Sequence, residues 1–338
     1  MFIRIEVTSL GYLLGLDQGG SKTAAVVADC DGRLLGVGYA GGACHASDGL
    51  ERAMAMAGRA TAEALARAGL TAGQVGLLVA GMTGADWPEE YDLLRAALAD
   101  ALGIGNVTVV NDCLIAMRGG TDMPYGAVLC AGSGLNAAVK SPDGRLFVFG
   151  YYVDDEDQGA TALGRRAIKA VVAAEAGLDP PTSLTRAVLK YFGLHTVEEL
   201  LRKQVCGALA AKDLAGLAPL LIAEAGAGDP AASGLVVGFG RRIARYAVAG
   251  LRRFAMLDTA VEVVLSGGVF KGGGSLLAGA VTAAVRAAAP KAMVIDARLE
   301  PVAGAVLMAL DDIHGGTLER RVRERVLAGS AVFGLIRR

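Results

Sequence analysis

The peptide GGSKT, residues 19–23, concentrates groups that bind phosphate. Its two glycines let the backbone approach phosphate oxygens closely, because no Cβ stands in the way. Its hydroxyls can donate hydrogen bonds, and its lysine adds positive charge. The spacing differs by one residue from the P-loop pattern G-x-x-x-x-G-K-[ST], because a serine stands where the lysine belongs. The candidate phosphate-binding residues are Gly19, Gly20, Ser21, Lys22 and Thr23.

The segments on either side of this peptide are predicted to be two strands, rather than a strand followed by a helix. Apolar residues precede it, and the following run AAVVADC ends at Asp31-Gly32, after which RLLGVG resumes the apolar pattern. Asp-Gly between two apolar segments is a strong hairpin signal. The same order recurs in residues 126–150, where an apolar strand, a glycine-rich loop and a second strand lead to Asp143-Gly144. This internal repeat predicts two domains of one kind.

Between the repeats, apolar strand patterns alternate with helical patterns, which predicts an α/β fold. A chain of 338 residues is long enough for two domains. The charged residues, 33 basic and 34 acidic, leave a formal net charge of −1. Without a global basic field, we expect neither a nucleic acid nor a membrane surface as a partner.

The five cysteines show no metal-ligand spacing; they are Cys30, Cys44, Cys113, Cys130 and Cys206. Their odd count and scatter predict reduced thiols in a cytoplasmic protein. Arg4 and Glu6 precede any long apolar run, which predicts no signal peptide. Charges interrupt the apolar stretches within the roughly 20 residues that a membrane span needs.

Six motifs in the same order resemble one family, the N-acetylglucosamine kinase and BadF/BadG/BcrA/BcrD ATPase group of the sugar kinase, actin and heat-shock chaperone ATPase superfamily. The resemblance covers roughly residues 12–310. The motifs are GLDQGGSKT (15–23), VVNDC (109–113), AGSGLNAA (131–138), DQGATALGRRA (157–167), VVLSGGVFKGGGSLL (263–277) and PVAGAVLMAL (301–310).

The resemblance implies two duplicated ribonuclease-H-like domains, an actin-like ATPase fold, with a nucleotide cleft between them. We place the first domain at residues 1–118 with a C-terminal return at 311–338, and the second at 119–310. The implied cofactors are ATP and Mg²⁺. A carboxylate beside phosphates is repelled unless a divalent cation lies between them, which makes Asp17 the candidate metal ligand. A turn or cap role is the alternative for Asp17.

Asp112 is the candidate catalytic residue. Phosphoryl transfer to a sugar hydroxyl needs a base that accepts the hydroxyl proton. A carboxylate at the carboxyl end of a buried strand stands where α/β proteins build their sites. The resemblance places the family's catalytic base at this position. Asp112 could also cap the helix that begins CLIAM.

The remaining nucleotide-binding candidates come from the second glycine loop and the nucleoside motif; they are Gly132, Ser133, Gly134, Gly267 and Gly268. The second loop has Leu135 where the family usually carries Ser. A simple strand-to-helix turn accounts equally well for the last two glycines.

The sugar-binding motifs depart from the family pattern. Cys44 stands where N-acetylglucosamine kinases usually carry Asn, and neither it nor the adjacent His45 replaces an amide well. Gln158 replaces the usual Glu. The candidate substrate contacts are Asn111, Asp157, Cys44 and His45. For Asp157, a place on the surface of the acidic run DDED is the alternative, and for His45 an ordinary loop position.

These motifs predict an ATP-dependent kinase that phosphorylates a hydroxyl of an amino sugar, with a small-molecule sugar as its partner. The first alternative is a BadF-type ATPase subunit or activator, although no cysteine spacing fits its iron–sulfur cluster. The second is a ROK-type protein, whose cysteine-rich zinc motif is missing here. The third is a nucleotide-binding module without sugar kinase activity. A homodimer is compatible with the sequence, which does not reveal the oligomeric state.

Overall fold

A computed structural model describes residues 11–271, 274–316 and 318–337, with the backbone alone at 274 and 275. The prediction that the chain has no signal peptide concerns its first residues and lies outside this described part. The chain forms two compact units. The first contains the described residues through Pro124 and those from Ala297 onward, and the second is Tyr125–Asp296.

Each unit is built on a mixed sheet. The strands are β1 (Tyr12–Gln18), β2 (Lys22–Asp29), β3 (Leu34–Gly41), β4 (Val75–Met82), β5 (Val107–Asn111), β6 (Gly126–Ala131), β7 (Leu135–Lys140), β8 (Leu146–Val148), β9 (Val261–Ser266) and β10 (Ala292–Asp296).

Helices surround the sheets. They are α1 (His45–Asp48), α2 (Leu50–Ala68), α3 (Pro88–Leu102), α4 (Asp112–Gly120), α5 (Gly159–Glu175), α6 (Leu184–Phe192), α7 (Val197–Val205), α8 (Ala211–Ala215), α9 (Ala218–Gly226), α10 (Pro230–Arg253), α11 (Gly268–Lys271), α12 (Gly274–Ala288), α13 (Pro301–Ile313) and α14 (Arg320–Val332). Among the described residues no single helix is long and apolar enough to cross a membrane, whereas one pair bent by 116°, Ala211–Gly226 with Pro230–Arg253, meets the length and composition criteria together.

The sheet of the first unit has the order β3-β2-β1-β4-β5, with β1, β2 and β3 antiparallel and β4 and β5 parallel to β1. Both faces are covered. Leu13 packs in a cluster with Val306 of α13, and Leu14 packs on the other face in a cluster with Ala57 of α2. Alternate side chains of β1 therefore enter two different apolar layers, as the two-residue period of a strand requires. The sheet holds the carboxyl ends of β1, β4 and β5 side by side.

The sheet of the second unit repeats this arrangement, with β6, β7 and β8 antiparallel and β9 and β10 joined in parallel to β6. The two Asp-Gly turns also correspond, since Gly32 and Gly144 both have φ of +84°, a conformation that favours glycine. The predicted α/β fold, its duplication and both hairpin turns are confirmed. The nucleotide cleft that the resemblance implies stays a prediction.

The boundaries between the two compact units differ from the predicted 118/119 and 310/311. Helix α13 was expected in the second domain, but it packs on the first sheet. A Cβ at Gly304 of α13 would lie 1.9 Å from the carbonyl oxygen of Ile115, and one at Gly15 of β1 would lie 2.8 Å from a methyl group of Val306. These glycines let α13 approach α4 and β1 closely, which joins the C-terminal segment to the first unit from Ala297 onward.

Candidate active site

The predicted first phosphate loop connects β1 to β2. The backbone N–H of Gly19 donates to the carbonyl of Lys22 over 2.9 Å, and the N–H of Ala43 donates to the carbonyl of Gly19 over 3.2 Å. Gly20 and Ser21 are exposed at the tip. No heavy atom lies within 4 Å of where a Cβ on Gly20 would be, among the described residues. The loop is thus anchored at its base and accessible at its tip.

Lys22 forms an ion pair with a residue that the sequence analysis missed. Its Nζ lies 2.9 Å from Oε2 of Glu300, which is buried at the start of α13. Partial burial alone would lower the pKa of Lys22, but the hydrogen bond to Glu300 and the charge of that carboxylate raise it. Lys22 therefore remains an ammonium, the form that attracts phosphate.

Thr23 differs from the rest of the loop because it is fully buried at the start of β2. Its hydroxyl donates to the carbonyl of Gly41 over 2.8 Å and so links β2 to β3. A hydroxyl used in this way supports the hairpin from which the loop projects. The predicted contact between Thr23 and ATP stays a prediction.

Asp17 is buried near the carboxyl end of β1. Burial and the nearby charge of Asp112 raise its pKa to about 7, whereas the charge of Lys22 acts in the opposite direction. Such a carboxyl group is costly to ionise without a cation beside it. The environment of Asp17 therefore suits a metal ligand, because a bound cation would stabilise the ionised carboxylate.

Asp112 begins α4, directly after β5. Burial and the charge of Asp86 raise its pKa to about 6, while hydrogen bonds from the Cys113 backbone and the Thr83 side chain lower it. Its Oδ1 is buried and has no hydrogen-bond partner in the described part of the chain. Buried polar atoms are normally satisfied, so an unsatisfied acceptor needs an explanation. A substrate hydroxyl would provide the missing donor.

The alternative role for Asp112, as the cap of α4, is wrong, because Asn111 holds that position. The Oδ1 of Asn111 accepts from the N–H of Cys113 over 3.0 Å. Its Nδ2 donates to the carbonyl of Ala85 over 3.1 Å and to Oδ1 of Asp86 over 2.8 Å. Asn111 thereby fixes the start of α4 and leaves Asp112 available for chemistry.

Cys44 and His45 lie against the loop of residues 83–86, which follows β4. The thiol of Cys44 is 3.7 Å from the carbonyl oxygen of Thr83, and a Cβ at Gly84 would come within 3.4 Å of Nδ1 of His45. The Nε2 of His45 lies 3.7 Å from Oε1 of Glu90. Its Nδ1 is buried and, among the described residues, has no hydrogen-bond partner.

Four sequence-predicted residues of the first unit thus share the loop of residues 83–86 as a neighbour; they are Cys44, His45, Asn111 and Asp112. Two of these, His45 and Asp112, each present an unsatisfied buried atom. The loop itself was not singled out in the sequence. Its sequence TGAD, a glycine-containing turn after a buried strand, was the available signal.

The predicted second phosphate loop connects β6 to β7 in the second unit. The N–H of Gly132 donates to the carbonyl of Gly134 over 2.9 Å, and the hydroxyl of Thr161 donates to the carbonyl of Ser133 over 2.9 Å. Gly159, at the start of α5, has φ of +44° and approaches the loop so closely that a Cβ would lie 2.2 Å from the carbonyl oxygen of Gly134. The loop therefore rests on the first turn of α5.

The glycines of the predicted nucleoside motif follow β9, beside the second loop. Gly267 has φ of +97°, and a Cβ there would lie 2.1 Å from the carbonyl oxygen of Ala131 at the end of β6. Gly268 begins α11 and is exposed. This motif continues through residues 272 and 273, which lie outside the described residues.

Asp157 is buried, so the alternative that placed it on the surface is wrong. Its Oδ1 accepts from Nε of Arg242 over 2.6 Å, and its Oδ2 accepts from the hydroxyl of Tyr246 over 3.0 Å. The guanidinium of Arg166 is 3.6 Å away. These contacts hold the segment before α5 against α10. The predicted sugar contact of Asp157 stays a prediction.

The change Asp157→Asn distinguishes a structural role of Asp157 from a role in sugar binding. We expect it to lower the melting temperature, because an amide removes the buried negative charge that Arg166 and Arg242 face. If the role is structural, KM for the sugar is unchanged at a temperature where the variant is folded. Asp179→Asn, at an exposed position, is the control. A stable variant with a raised KM for the sugar would instead establish direct substrate contact.

The residues present fit a magnesium nucleotide. Mg²⁺ keeps several waters and is usually bound by one or two carboxylates together with substrate phosphates. Asp17 and Asp112 interact electrostatically, and Asp112 carries an unsatisfied oxygen. In the described ranges, no three His, Cys, Asp or Glu side chains converge to hold a metal ion by themselves.

Comparison with known proteins finds similarity to sugar kinases. An N-acetylmuramic acid/N-acetylglucosamine kinase of Clostridium acetobutylicum is 24% identical over 261 residues, 76% of this chain and 85% of its own. An N-acetyl-D-glucosamine kinase of Dictyostelium discoideum is 23% identical over 312 residues, 88% of this chain and 97% of its own. A crystal structure described as that of a candidate N-acetylglucosamine kinase from Chromobacterium violaceum superposes with a TM-score of 0.70 at 24% identity, covering 89% of this chain and 99% of the other. The model of the BadF/BadG/BcrA/BcrD ATPase family matches residues 14–309, and the chain therefore belongs to that family.

Proposed function

We propose that the protein is an ATP-dependent sugar kinase. It transfers the γ-phosphoryl group of ATP to a hydroxyl of an amino sugar, N-acetylglucosamine or a relative of it. Family membership supports the use of ATP. The names of the two curated relatives support an amino sugar as acceptor.

The observation that carries this proposal is the carboxylate of Asp112. Thr83 and Cys113 stabilise its charge, while Oδ1 is buried without a partner among the described residues. With a pKa of about 6, the group is mostly ionised at neutral pH and still basic enough to accept a proton. Asp112 accepts the proton of the sugar hydroxyl as the oxygen attacks the γ-phosphorus, and ADP leaves.

Asp17 would hold a Mg²⁺ ion beside the nucleotide phosphates. When bound, the ion neutralises charge on the phosphate oxygens. Asp17 is suited to this task because burial disfavours its charge and a cation would restore it. Lys22 adds a second positive charge from the tip of the β1–β2 loop.

The nucleotide is bound by the two glycine loops and the nucleoside motif. We assign this role to Gly19, Gly20, Ser21, Lys22, Thr23, Gly132, Ser133, Gly134, Gly267 and Gly268. Gly20, Ser133, Gly134 and Gly268 are exposed, so their backbones are accessible to a ligand.

The sugar is bound by residues around the loop of residues 83–86. His45 contacts a sugar hydroxyl through its unsatisfied Nδ1, and Cys44 shapes the wall beside it. Asn111 positions Asp112 and borders the same site. Asp157, the fourth candidate, lies in the second unit and is the least supported, because both of its oxygens already accept hydrogen bonds.

ADP release from Mg-ATP across a panel of sugars tests the proposal. The panel contains N-acetylglucosamine, glucosamine, N-acetylmannosamine, N-acetylmuramic acid, glucose and a control without sugar. We expect release that depends on one of the amino sugars. Equal release without sugar would favour an ATPase subunit, and no release with ATP still bound would favour a nucleotide-binding module.

Lys22→Ala tests the first phosphate loop. We expect KM for ATP to rise about tenfold or more, because a charge-assisted contact to phosphate is lost. KM for the sugar should stay nearly constant. Lys190→Ala, which removes an exposed lysine of α6, is the control. An unchanged KM for ATP would show that Lys22 serves only its ion pair with Glu300.

A further inference from the structure

A pocket of about 600 Å³ lies within the second unit, and the residues that line it do not include those assigned to catalysis. One wall is the exposed face of α10. Further lining comes from β8, Phe149 and the 3-10 helix Gly150–Tyr152, and from Ala284 and Ala288 of α12. Pockets of roughly 300–1,000 Å³ hold small molecules.

Arginines dominate the wall from α10. Arg241, Arg245 and Arg252 share one face of the helix by their spacing, and Arg253 joins them in the pocket. All four are exposed. In the described part of the chain, none has a carboxylate within ion-pair distance, whereas the neighbouring Arg242 pairs with Asp157.

This concentration of positive charge is local. The whole chain has a formal net charge of −1, so it does not present a general basic surface. Four guanidinium groups around one pocket repel one another unless an anion lies among them. Guanidinium groups bind phosphate through paired hydrogen bonds, and their fixed planar geometry suits that ligand.

The lining contributed by residues 147–152 is aromatic. Phe147 and Phe149 form an edge-to-face pair with centroids 5.0 Å apart, and the guanidinium of Arg253 lies 4.2 Å from the centroid of Phe147. Tyr152 also lines the pocket and is 74% exposed. An exposed aromatic ring in the same pocket as the arginines can stack on an aromatic ring of the ligand. Inorganic phosphate has no ring, so this contact favours an organic phosphate.

We propose that this pocket binds a small organic phosphate. Its phosphate group contacts Arg241 and Arg245, which lie one turn apart on α10, and its ring lies against Tyr152. The concave shape and limited volume favour a small molecule over a nucleic acid, which would need an extended basic surface. The site does not depend on the proposed kinase activity, and its test does not measure that activity.

Calorimetric titration of the full chain with phenyl phosphate and with inorganic phosphate tests the proposal. We expect phenyl phosphate to bind several-fold more tightly, and Tyr152→Ala to remove that preference. The double change Arg241→Gln/Arg245→Gln should raise Kd for phenyl phosphate at least about tenfold. The matched control is Arg186→Gln/Lys190→Gln, which removes two exposed charges at the same spacing from α6 and should leave Kd unchanged.

Three results of this titration would overturn the proposal. They are no binding of phenyl phosphate to the wild type, equal binding to the arginine double variant, and equal loss of binding in the α6 control. A titration with a single-stranded 20-nucleotide DNA separates a polyanion site from a small-molecule site. Tight binding of this DNA that requires Arg241 and Arg245, without binding of phenyl phosphate, would also overturn it. Melting temperatures of all variants show whether each is folded.

Discussion

Asp112→Asn should lower kcat about 10²–10⁴-fold while leaving Kd for ATP nearly unchanged. The amide has almost the same size as the carboxylate, so packing at the start of α4 is preserved. It cannot accept the hydroxyl proton at neutral pH, and the unsatisfied position of Oδ1 no longer carries a base. Steady-state turnover together with equilibrium nucleotide binding measures both quantities.

The control for this substitution is Asp100→Asn, an exposed carboxylate at the end of α3 in the same unit. It should keep wild-type kcat. A second readout is the pH profile of the wild type. Because the pKa of Asp112 is raised to about 6, kcat/KM should fall as the pH drops below that value and the carboxylate is protonated. Normal turnover in Asp112→Asn would refute the assignment of the base.

Asp17→Asn should abolish magnesium-dependent turnover and, without metal, stabilise the protein at pH 8. Burial raises the pKa of Asp17 from 3.8 to about 7. Between these values the folded protein keeps a proton that the unfolded chain releases, so folding stability decreases as the pH rises through this range. Above pH 7 the wild type carries a buried charge that Asn lacks.

Thermal melts at pH 5 and pH 8 in a chelating buffer measure this effect. At pH 8 the variant should melt several degrees above the wild type, because a shift of this size corresponds to a few kcal/mol. At pH 5 the difference should be clearly smaller, since Asp17 is then protonated in the folded wild type and only ionisation of the unfolded chain still lowers its stability. Asp100→Asn again serves as the control. A variant less stable than the wild type at pH 8 would mean that Asp17 is a structural residue.

Local signals were sufficient for the strands and turns. Gly32 and Gly144 follow Asp between apolar runs, and both are found in hairpin turns at the same φ. The repeat of these turns predicted two similar sheets, and both sheets have the same strand order. Such signals depend on neighbours in sequence, which is why they could be read directly.

Contacts between distant residues could not be read in the same way. The ion pair of Lys22 with Glu300 joins positions 278 residues apart, and the partner of Asp157 is Arg242, 85 residues away. Asp157 therefore looked like part of an exposed acidic run although it is buried. The close packing of Gly304 on α4, which assigns α13 to the first unit, likewise depends on a backbone approach that no local pattern reveals.

Some errors came from adjacent residues with similar side chains. Asn111 and Asp112 can both cap a helix, and the sequence could not decide between them. In the structure Asn111 accepts the cap hydrogen bond, and this leaves the carboxylate of Asp112 with an unsatisfied oxygen. The capping residue and the proposed base are thus neighbours in the sequence, and only the structure shows which residue has which role.

The most direct test of the account follows the phosphoryl group itself. The protein is incubated with Mg-ATP labelled with ³²P at the γ-position and the sugar that gave the fastest ADP release, and the products are separated. The account predicts label in a sugar phosphate in amounts equal to the ADP formed, and formation of this product at least about a hundred times slower with Asp112→Asn. Label found only in inorganic phosphate, at a rate independent of sugar, would contradict the kinase assignment.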